Sequence, residues 1–583
     1  MILQRIIFDK SKPSGMFYRG NISFIDNILT VDAENKLEFN TYFNSLSVEK
    51  WGKYTCVNEI NVELIAKGEG VLELYCVDTD AKSKKIAGVS FKNDDFTSIT
   101  FPDYFSVVDL SEITYFEITA KSKVQILYAA YICPDYDLNS INLACCFCTY
   151  KREKELIYNV KNILNNIICN PDSCLYNNCK VFIADNGHTI KSELFNNSDD
   201  IFIFENPNYG GSAGFTRCII ESCIHRQGEF TNIILMDDDA VIESYVVERT
   251  AILLQLLKDC YKDYMIGGAF FSRENPFEQH ENGAVLDSNY HYSSYGSRQN
   301  MNDFKSVTSN SPEDEYISYN GWWFTVIPSS FIKSDNLPLP LFIHCDDQEY
   351  GKRANNKFIR INGICVWHPT SKMTRPYITF YDKRNKLISF ASEKKSISTF
   401  QALKIFTVEF FSCFFRFLYD FSRCAADGFM FFYSGIEKLK TTNAEQLNKE
   451  IMSKYCKIHE FAIDDYSKIN FSKLFFGSKE RWALKSIINY FFIPVSRKKY
   501  YDISTLMRNV DFWSTNQIVF VDKDAKKAFS FKRSYLEGLK LILVYLKTCF
   551  YICIHHKKIY GEWLEKIDEL KTYNFWKEYL GLS

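Results

Sequence analysis

The first 135 residues alternate between hydrophobic and polar positions over short stretches that turn residues separate. Residues 62–66, 71–76 and 115–119 follow this pattern, at a spacing of about ten residues and without helical periodicity. A period of two places one face of a strand against a core and the other face toward solvent. The pattern therefore predicts an antiparallel β-sandwich over residues 1–135.

Between residues 136 and 395 apolar runs alternate with segments of helical spacing. The helical segments are 153–168 and 213–226, and the runs typical of buried strands are 141–147, 181–184, 201–204 and 233–236. This is the βαβ pattern of a domain with a parallel sheet, which binds ligands at the carboxyl ends of its strands. We expect an α/β, Rossmann-like domain over residues 136–395.

After residue 396 the chain is dominated by amphipathic helical patterns, interrupted by a hairpin-like segment at 518–531. These patterns predict a mainly helical C-terminal domain over residues 396–583. The most apolar stretches, 402–437 and 538–554, both contain charged residues and neither offers 18 uncharged apolar positions, so we expect no transmembrane helix. The N-terminus is charged too early for a signal peptide.

The composition fits a folded protein, and it argues against a disordered chain and against a protein whose whole surface binds nucleic acid. Hydrophobic residues make up 46% of the 583 positions and charged residues 24%, which is too apolar for a disordered chain. Lys and Arg (69) nearly balance Asp and Glu (71), so the whole surface does not suit nucleic acid and we expect no nucleic-acid partner. The 19 cysteines are odd in number and form no pair of CxxC motifs, which favours reduced, buried thiols.

Three consecutive carboxylates, Asp237, Asp238 and Asp239, directly follow the apolar run 233–236. Their mutual repulsion at the end of a strand is relieved by a cation, and hard oxygen ligands favour Mg²⁺ or Mn²⁺. A solvated acidic loop is the alternative interpretation. His368 follows another apolar run and is either a structural histidine or a third metal ligand.

Other strand ends carry residues suited to a nucleotide. Thr149, Tyr150 and Arg152 follow the first strand, and Asp185 follows the second. Hydroxyl and carboxylate groups bind a base and a ribose, and an arginine pairs with phosphate. The glycine-rich loop that begins at Asn206 and includes Asn208 matches neither a Walker A loop nor GxGxxG, so a plain tight turn is its alternative.

Two further motifs lie downstream. Asp346 and Asp347 come at a predicted helix entry, where they serve either as helix caps or as a general base that takes a proton from an acceptor hydroxyl. Trp322 and Trp323 are adjacent, and adjacent residues of a strand point to opposite faces. One of them is therefore a candidate platform for a sugar, although core packing is the usual role of such residues.

The order of these motifs resembles inverting glycosyltransferases with a GT-A fold, and more narrowly the polymerising galactofuranosyltransferases of bacteria. The resemblance covers nearly the whole chain and is strongest over residues 139–390. It is carried by Asp237-Asp-Asp239, Asn320-Gly-Trp-Trp, Asp346-Asp347, Trp367-His368 and the N-terminal Phe39-Asn-Thr-Tyr-Phe-Asn-Ser.

The resemblance implies a donor, UDP-galactofuranose, and a role for each candidate residue. It implies that Asp237, Asp239 and His368 hold Mn²⁺ or Mg²⁺, and that Asp347 is the base of a single displacement with inversion. It assigns the acceptor site to Trp322, Trp323 and Asp346. It assigns the UDP site to Thr149, Tyr150, Arg152, Asp185, Asn208 and Asp238.

Two positions depart from the family. Ala284 stands where the family has a glutamate, for which Glu281 is the nearest substitute, and Asp382 stands where the polymerising member has a histidine. These departures leave the acceptor, the linkage and polymerisation open. A different nucleotide-sugar donor is one alternative, and a non-catalytic glycan-binding scaffold is an alternative of another class.

The resemblance also implies a lipid-linked glycan acceptor and hence a membrane partner. Residues 473–499 mix seven basic residues with aromatic ones against a single glutamate, which suits an anionic membrane surface. A solvated helix packed on the core is the alternative. We expect a cytoplasmic protein held peripherally on the inner face of the cytoplasmic membrane, with self-association into a homo-oligomer left open.

Overall fold

The computed structural model describes residues 1–582 except 9–13, 26–27, 79–80, 289, 311–315, 371–374, 456–457, 459, 464–466, 476, 494–495, 506–509 and 524–525. The chain divides into two compact units. The first comprises Met1–Asn206, Gly214–Lys333 and Tyr350–Thr370, and the second comprises Pro207–Ala213, Ser334–Glu349 and Ser371–Ser583. The units differ from the three domains predicted from the sequence, because the N-terminal β-domain and the α/β region form one unit.

The N-terminal part of the first unit is antiparallel β-structure, as the alternating pattern predicts. It contains α1 (Ser14–Phe17) and α2 (Val48–Tyr54) and the strands β1 (Ile2–Arg5), β2 (Arg19–Gly20), β3 (Ser23–Ile25), β4 (Ile28–Val31), β5 (Lys36–Glu38), β6 (Glu59–Val77), β7 (Ser83–Thr100), β8 (Phe105–Ser106), β9 (Ile113–Ala120) and β10 (Val124–Ile132). These strands, as far as they are described, belong to one hydrogen-bonded sheet of ten. The long strand β6 joins them, since it pairs with β10 in its first half, with β9 in its second half and with β7 along its length.

The α/β part of the first unit begins at β11. Its helices are α3 (Glu153–Ile163), α4 (Gly210–Ile219), α5 (Ser244–Leu256) and α6 (Phe304–Ser309). Its strands are β11 (Leu143–Thr149), β12 (Cys179–Asp185), β13 (Ile201–Glu205), β14 (Asn232–Asp237), β15 (Met265–Gly267), β16 (Ala269–Ser272), β17 (Glu278–Glu281), β18 (Ala284–Leu286), β19 (Tyr292–Ser294), β20 (Gln299–Asn300), β21 (Thr325–Pro328), β22 (Phe358–Ile359) and β23 (Cys365–His368).

The central sheet of this part has the strand order β13-β12-β11-β14-β21-β15-β22 among the described residues. The four strands predicted from apolar runs, β11 to β14, are parallel. Strand β21 runs antiparallel to β14, so the sheet is mixed and not wholly parallel as we expected. Because Thr325 of β21 pairs with Leu235 of β14, the segment before β21 lies at the carboxyl edge where β14 ends.

A smaller sheet of order β20-β17-β16-β23 lies in the same unit. Strand β23 pairs in parallel with β16, and a bridge joins Val241 to Trp367, so the chain that follows β14 lies beside the end of β23.

The β-domain and the α/β part share one hydrophobic core. Phe43 stacks on Trp367 with 5.6 Å between ring centroids, and the buried Arg249 of α5 donates to the carbonyl oxygen of Phe43 at 2.9 Å. Lys50 of α2 is buried as well and donates to the carbonyl oxygen of Arg360. These contacts place the two parts in one compact unit.

The second unit is mainly helical, as predicted. Its helices, with one at the border between the units, are α7 (Asp346–Lys352), α8 (Pro376–Ser392), α9 (Thr399–Phe414), α10 (Tyr419–Phe432), α11 (Ile436–Thr441), α12 (Ala444–Tyr455), α13 (Lys479–Phe492), α14 (Tyr535–Lys566) and α15 (Tyr573–Leu580). Its strands β24 (Glu460–Ala462), β25 (Lys498–Asp502), β26 (Gln517–Asp522) and β27 (Lys527–Lys532) form a sheet in which β26 and β27 are the predicted hairpin.

One helix of the second unit differs from expectation. Helix α14 and the turn after it, Tyr535–Lys571, have a mean hydropathy of 1.4 over their most apolar window, of which 22% is buried. By length and composition this helix meets the requirement for crossing a membrane, whereas the sequence pattern led us to expect no such helix. Two of its lysines, Lys540 and Lys547, interrupt the apolar run without ending the helix.

The cysteines behave as predicted. Every cysteine of the described residues is a free thiol, and apart from Cys169, Cys260 and Cys553 all of these are buried or half-buried. Burial raises the pKa of Cys146 well above its usual range, which keeps this thiol protonated and unreactive.

Candidate metal and nucleotide-sugar site

Three predicted ligands meet where β14 and β23 end. Asp237 is the last residue of β14, Asp239 follows in the turn, and His368 is the last residue of β23. Their ligand atoms all lie within 4.8 Å of one another. Nε2 of His368 is 3.0 Å from Oδ1 of Asp239 and 3.5 Å from Oδ2 of Asp237. We call these three residues the acidic triad.

His368 is oriented for ligation by its other ring nitrogen. Nδ1 lies 2.8 Å from the carbonyl oxygen of Pro369, which can only accept, so Nδ1 carries the proton and Nε2 faces the carboxylates. A backbone or carboxylate acceptor on the second nitrogen is the usual support of a metal-bound histidine. Burial lowers the pKa of His368, but hydrogen bonds and charges from Asp237 and Asp239 outweigh it and raise the pKa to about 10.

The acidic triad is chemically suited to a divalent metal. Two carboxylates and an imidazole nitrogen are ligands for Mg²⁺-like and first-row ions, and a cation would take the place of the proton that His368 now carries. The three residues therefore fit a metal, with no other ligating group needed from the chain.

The middle carboxylate, Asp238, belongs to a different set of contacts. Its Oδ2 accepts from the Thr149 hydroxyl at 2.8 Å, and its Oδ1 accepts from Nη1 of Arg152 at 2.8 Å. The same Nη1 is 2.7 Å from Oδ2 of Asp239. Burial raises the pKa of Asp238 to about 6, against the lowering effect of Arg152 and Thr149. Arg152 thus links the acidic triad to the predicted nucleotide residues.

Arg152 is a solvent-accessible cation of this cluster. Its side chain is 51% exposed, whereas that of Asp238 is 5% exposed. Burial lowers the pKa of Arg152, but the charges of Asp238 and Asp239 outweigh it, so the guanidinium stays charged. A half-exposed guanidinium beside a metal site is placed to bind a phosphate oxygen.

Asn159 of α3 supports the aspartate turn, and the sequence analysis missed it. Its Nδ2 donates to the carbonyl oxygens of Asp238 and Ala240 at 3.2 and 2.6 Å, and its Oδ1 accepts from the backbone N–H of Ile242. The available signal was an amide in the buried stripe that the helix otherwise fills with Leu156, Val160 and Ile163. A buried amide in such a stripe must bind other polar groups.

Asp185 uses its carboxylate within its own loop. It is the last residue of β12, pairs with Thr149, and is fully buried. Its oxygens accept from the backbone N–H groups of Gly187, Thr189 and Ile190 at 2.9, 2.6 and 2.7 Å. The structure thus shows a loop-stabilising role, and contact with a nucleotide stays a prediction.

Two other predicted nucleotide residues lie apart from these contacts. Tyr150 is 43% exposed, and the Lys151 ammonium lies 5.2 Å from the centre of its ring. Asn208 is half-buried and belongs to the second unit. Their roles in binding UDP stay predictions.

The glycines of the 206–214 loop are explained by close packing. Gly210 has a φ of +81°, and a Cβ there would lie 2.0 Å from the carbonyl oxygen of Phe342. A Cβ on Gly214 would lie 2.2 Å from Sγ of Cys148. These contacts agree with the tight-turn alternative and give no separate sign of a phosphate-binding loop.

Trp322 and Trp323 have different surroundings. Trp322 is 5% exposed and packs edge-on between Phe215 and Tyr350, at centroid distances of 5.3 and 6.1 Å. It is therefore a core residue in this structure.

Trp323 is half-buried and lies near the acidic triad. Its indole N–H donates to the carbonyl oxygen of Gly268 at 2.9 Å. Its ring is 5.2 Å from that of Phe270, which in turn lies 5.1 Å from the His368 ring. The antiparallel course of β21 is what carries Trp323 to this edge. Of the two tryptophans, Trp323 offers the surface beside the triad.

Asp346 and Asp347 begin α7 and belong to the second unit. The loop before them is strained, since Phe342, His344 and Cys345 have φ values of 71°, 64° and 66°. Such left-handed backbone in residues other than glycine is costly and needs support from its surroundings. Helix α8 provides it.

The support comes from two adjacent side chains of α8, Arg384 and Asn385. Nδ2 of Asn385 donates to the carbonyl oxygens of Leu341, Ile343 and His344, at 3.0, 2.9 and 2.8 Å. Nη2 of Arg384 also donates to the Leu341 oxygen. The loop that leads to the two carboxylates of α7 thus has a backbone held in place by hydrogen bonds from α8.

The two departures from the family are structurally distinct. Ala284 is fully buried, and Glu281 is 3% exposed with the Tyr292 hydroxyl bonded to it. Burial raises the pKa of Glu281 to about 7. Its Oε2 accepts from Tyr292, whereas its Oε1 is buried without a hydrogen-bond partner among the described residues. A role of Glu281 as the substitute stays a prediction. Asp382 forms an ion pair with His344 in the second unit.

Comparisons with known proteins agree with the resemblance in the sequence. Residues 23–134 match the family model described as Galactofuranosyltransferase 2 N-terminal. The chain is 23% identical over 364 residues to Galactofuranosyltransferase GlfT2 of Mycolicibacterium smegmatis, covering 58% of this chain and 54% of that protein. It is 22% identical over 363 residues to the protein of the same name from Mycobacterium tuberculosis, covering 58% and 55%. The chain thus aligns with about half the length of these relatives.

Among solved structures, the chain is similar to the mannosyltransferase PcManGT from Pyrobaculum calidifontis in complex with GDP-Man and Mn²⁺. The match covers 54% of this chain and 80% of that one, with 10% identity and a TM-score of 0.30. At this score the match carries no conclusion about fold or function.

Proposed function

We propose that this chain, a relative of the galactofuranosyltransferases, transfers galactofuranose from UDP-galactofuranose to a hydroxyl group of a glycan, by inversion and on a GT-A fold. The observation that carries the proposal is the acidic triad, joined through Arg152 to Asp238 and Thr149 at the edge of the sheet. The relatedness to galactofuranosyltransferases supports the donor.

Asp237, Asp239 and His368 would hold the metal, Mn²⁺ or Mg²⁺, which when bound neutralises a diphosphate and stabilises UDP as the leaving group. Arg152 would bind a phosphate oxygen through its exposed guanidinium. We assign the remaining donor contacts to Thr149, Tyr150, Asp185, Asn208 and Asp238.

Asp347 would act as the base. A carboxylate that takes the proton of the acceptor hydroxyl suffices for a single displacement, because the leaving diphosphate needs no acid. We assign the acceptor to Trp323, with its ring beside Phe270, and to Asp346. Trp322 keeps its assignment to the acceptor site as a prediction.

Release of UDP by the purified protein tests the proposal. We expect release from UDP-galactofuranose with a synthetic galactoside acceptor and Mn²⁺ or Mg²⁺, and loss of release with EDTA. Asp347→Asn should abolish transfer and leave UDP binding intact, while Asp335→Asn, at an exposed aspartate of the same unit, should act as wild type. Release from another UDP-sugar alone would replace the donor, and glycan binding without any release would favour a scaffold.

For the acceptor we propose a lipid-linked glycan, and for the protein a peripheral position on the inner face of the cytoplasmic membrane. The support is an exposed apolar stripe on α14. Its members recur every three or four residues on one helix face, are each at least 55% exposed, and are Leu536, Leu539, Leu543, Leu546, Phe550 and Ile554.

The charge next to the stripe suits an anionic surface. From Tyr535 to Lys558 the helix carries four lysines and one carboxylate, Glu537, which pairs with Arg423 and with Lys540. Lys540 and Lys547 lie beside the stripe by helical spacing. Exposed apolar residues flanked by lysines are typical of a helix at a membrane interface.

The opposite face of α14 is bonded to its own unit. His556 bonds to the Tyr433 hydroxyl and to the carbonyl oxygen of Ile397, and Tyr545 bonds to Thr407. A helix with one packed face and one exposed stripe suits the plane of the interface, and not a span across the bilayer. We therefore propose that α14 lies on the membrane.

The segment predicted for this role, 473–499, contributes in part. On α13, Leu484 and Phe492 are 60% and 73% exposed, whereas Tyr490 is buried against Phe414. The described part of the chain does not include Phe476, Pro494, Val495 or the side chain of Lys479. Self-association into a homo-oligomer stays open, as in the expectation from the sequence.

A further inference from the structure

An ion pair holds a histidine two residues before the first of the two carboxylates of α7. Nδ1 of His344 lies 2.8 Å from Oδ1 of Asp382, and their side chains are 38% and 29% exposed. The pair belongs to the second unit, as do Asp346 and Asp347. A carboxylate on one ring nitrogen sets the orientation of an imidazole and directs the other nitrogen elsewhere.

Backbone and ring of His344 are held by the same helix. Asp382 and Asn385 are three residues apart on α8 and so lie on one face. Asn385 donates to the carbonyl oxygen of His344, whose φ is +64°, while Asp382 binds its ring. Both the backbone and the ring of His344 are therefore held in place by α8.

The other ring nitrogen is available. Among the described residues, Nε2 of His344 has no hydrogen-bond partner, and the ring is partly open to solvent. A ring held at Nδ1 and open at Nε2 is arranged to bind something outside the chain.

The charges that face this ring keep it cationic. Burial lowers the pKa of His344, but Asp382 on α8, and then Asp346 and Asp347 on α7, raise it to about 9. Beyond Asp382, Lys383 pairs with Glu409 of α9. At neutral pH His344 is thus an imidazolium that presents an N–H donor from Nε2.

We infer that His344 is a positioning residue for the acceptor, donating from Nε2 to a sugar oxygen next to the hydroxyl that Asp347 deprotonates. This inference rests on the proposed function. The chemistry recognised is a neutral glycoside hydroxyl or ring oxygen, since an imidazolium donates and a sugar oxygen accepts. Neither UDP binding nor metal binding depends on this residue.

The test replaces the imidazole without disturbing the loop. His344→Asn suits the left-handed backbone, which asparagine tolerates well, and removes the cationic donor. We expect the KM for a synthetic galactoside acceptor to rise tenfold to a hundredfold, the loss of a hydrogen bond from a charged group, with the KM for UDP-galactofuranose unchanged. His291→Asn is the matched control, because His291 pairs with Asp287 at the same 2.8 Å but is 58% exposed on the first unit.

A second variant tests the charge. In Asp382→Asn the carboxylate that raises the pKa of His344 is gone, so acceptor affinity should be lost as the pH rises through about 7, instead of through about 9 as in wild type. A merely structural role of the pair would lower activity at all pH values without moving this profile.

Calorimetric binding of the galactoside gives a readout that does not need turnover. Tighter binding by wild type than by His344→Asn supports the inference, even if no UDP-sugar is turned over and the proposed function fails. Equal galactoside binding by the two proteins, or no binding by wild type, overturns the inference. Transfer by wild type with an unchanged acceptor KM in His344→Asn overturns it while leaving the proposed function in place.

Discussion

The side-chain amide of Asn159 donates a 2.6 Å hydrogen bond to the carbonyl oxygen of Ala240, and so ties α3 to the turn that carries the two aspartates of the acidic triad. We expect Asn159→Ala to weaken Mn²⁺ binding tenfold to a hundredfold, because the turn loses the bonds that place Asp237 and Asp239. Calorimetric titration with Mn²⁺ measures this effect without a need for activity.

Two further variants serve as the negative and positive controls of that measurement. Asp239→Asn removes a ligand and should abolish binding, whereas Asn166→Ala, further along the same helical segment and exposed, should bind Mn²⁺ as wild type does. Wild-type affinity in Asn159→Ala would show that the turn keeps its shape without the amide.

The two tryptophans should separate stability from substrate binding. Trp322→Ala removes a ring buried between Phe215 and Tyr350, and should cost about 3 to 5 kcal/mol of unfolding free energy. Trp323→Ala should cost less, and should instead raise the acceptor KM about tenfold through the lost stacking surface. Denaturant unfolding and acceptor titration measure the two effects, and the reverse pattern would move the acceptor assignment to Trp322.

A half-buried cluster of three charged side chains makes the second unit sensitive to acid. Glu409 pairs with Lys383 and Lys386, at 2.7 and 3.0 Å, and although burial raises its pKa these lysines lower it to about 2. Because the folded pKa lies below the unfolded value near 4.5, the stabilisation is present above pH 4.5 and is lost as the pH falls toward 2.

Replacing that glutamate should show its contribution directly. Glu409→Gln should lower the free energy of unfolding at pH 7 by about 3 kcal/mol, because two half-buried ammonium groups lose their partner. The variant should also lose less stability than wild type between pH 4.5 and 2. Glu565→Gln, at an exposed position of α14, provides the control, and equal acid profiles for all three proteins would contradict the prediction.

The stripe on α14 predicts binding to lipid. Leu543 and Phe550 are 62% and 69% exposed, and replacing both by aspartate should reduce co-sedimentation with vesicles of anionic lipid at least tenfold. Val108→Asp alters a residue that is 89% exposed on the first unit and should leave co-sedimentation unchanged. Binding to neutral vesicles with equal strength would remove the role given to the lysines.

The local elements could be predicted from sequence because their causes are local. Apolar runs specify buried strands, so β11 to β14 and the carboxylates at their ends can be predicted. His368 joins these carboxylates from a strand of another sheet, through the bridge between Val241 and Trp367. The direction of β21 depends on a distant pairing with β14, and that direction decides which tryptophan lies beside the triad.

Contacts between distant segments account for the rest. Nothing near His344 in the sequence indicates that Asp382 would pair with it, and Asn159 is one polar residue in an apolar stripe. The exposed stripe of α14 was obscured by Lys540 and Lys547, which break an uncharged run but lie beside the stripe on the helix surface. Counting uncharged residues in a row misses such a surface, whereas helical spacing reveals it.

The stacking of Phe43 on Trp367 gives the N-terminal β-domain a structural role outside its own sheet. Trp367 immediately precedes a triad histidine, and one face of its indole is covered by a ring from the β-domain. Removal of residues 1–135 would therefore uncover the wall of the proposed metal site. The β-domain is packed into the same compact unit as the proposed metal site, and shortened versions of this protein should retain it.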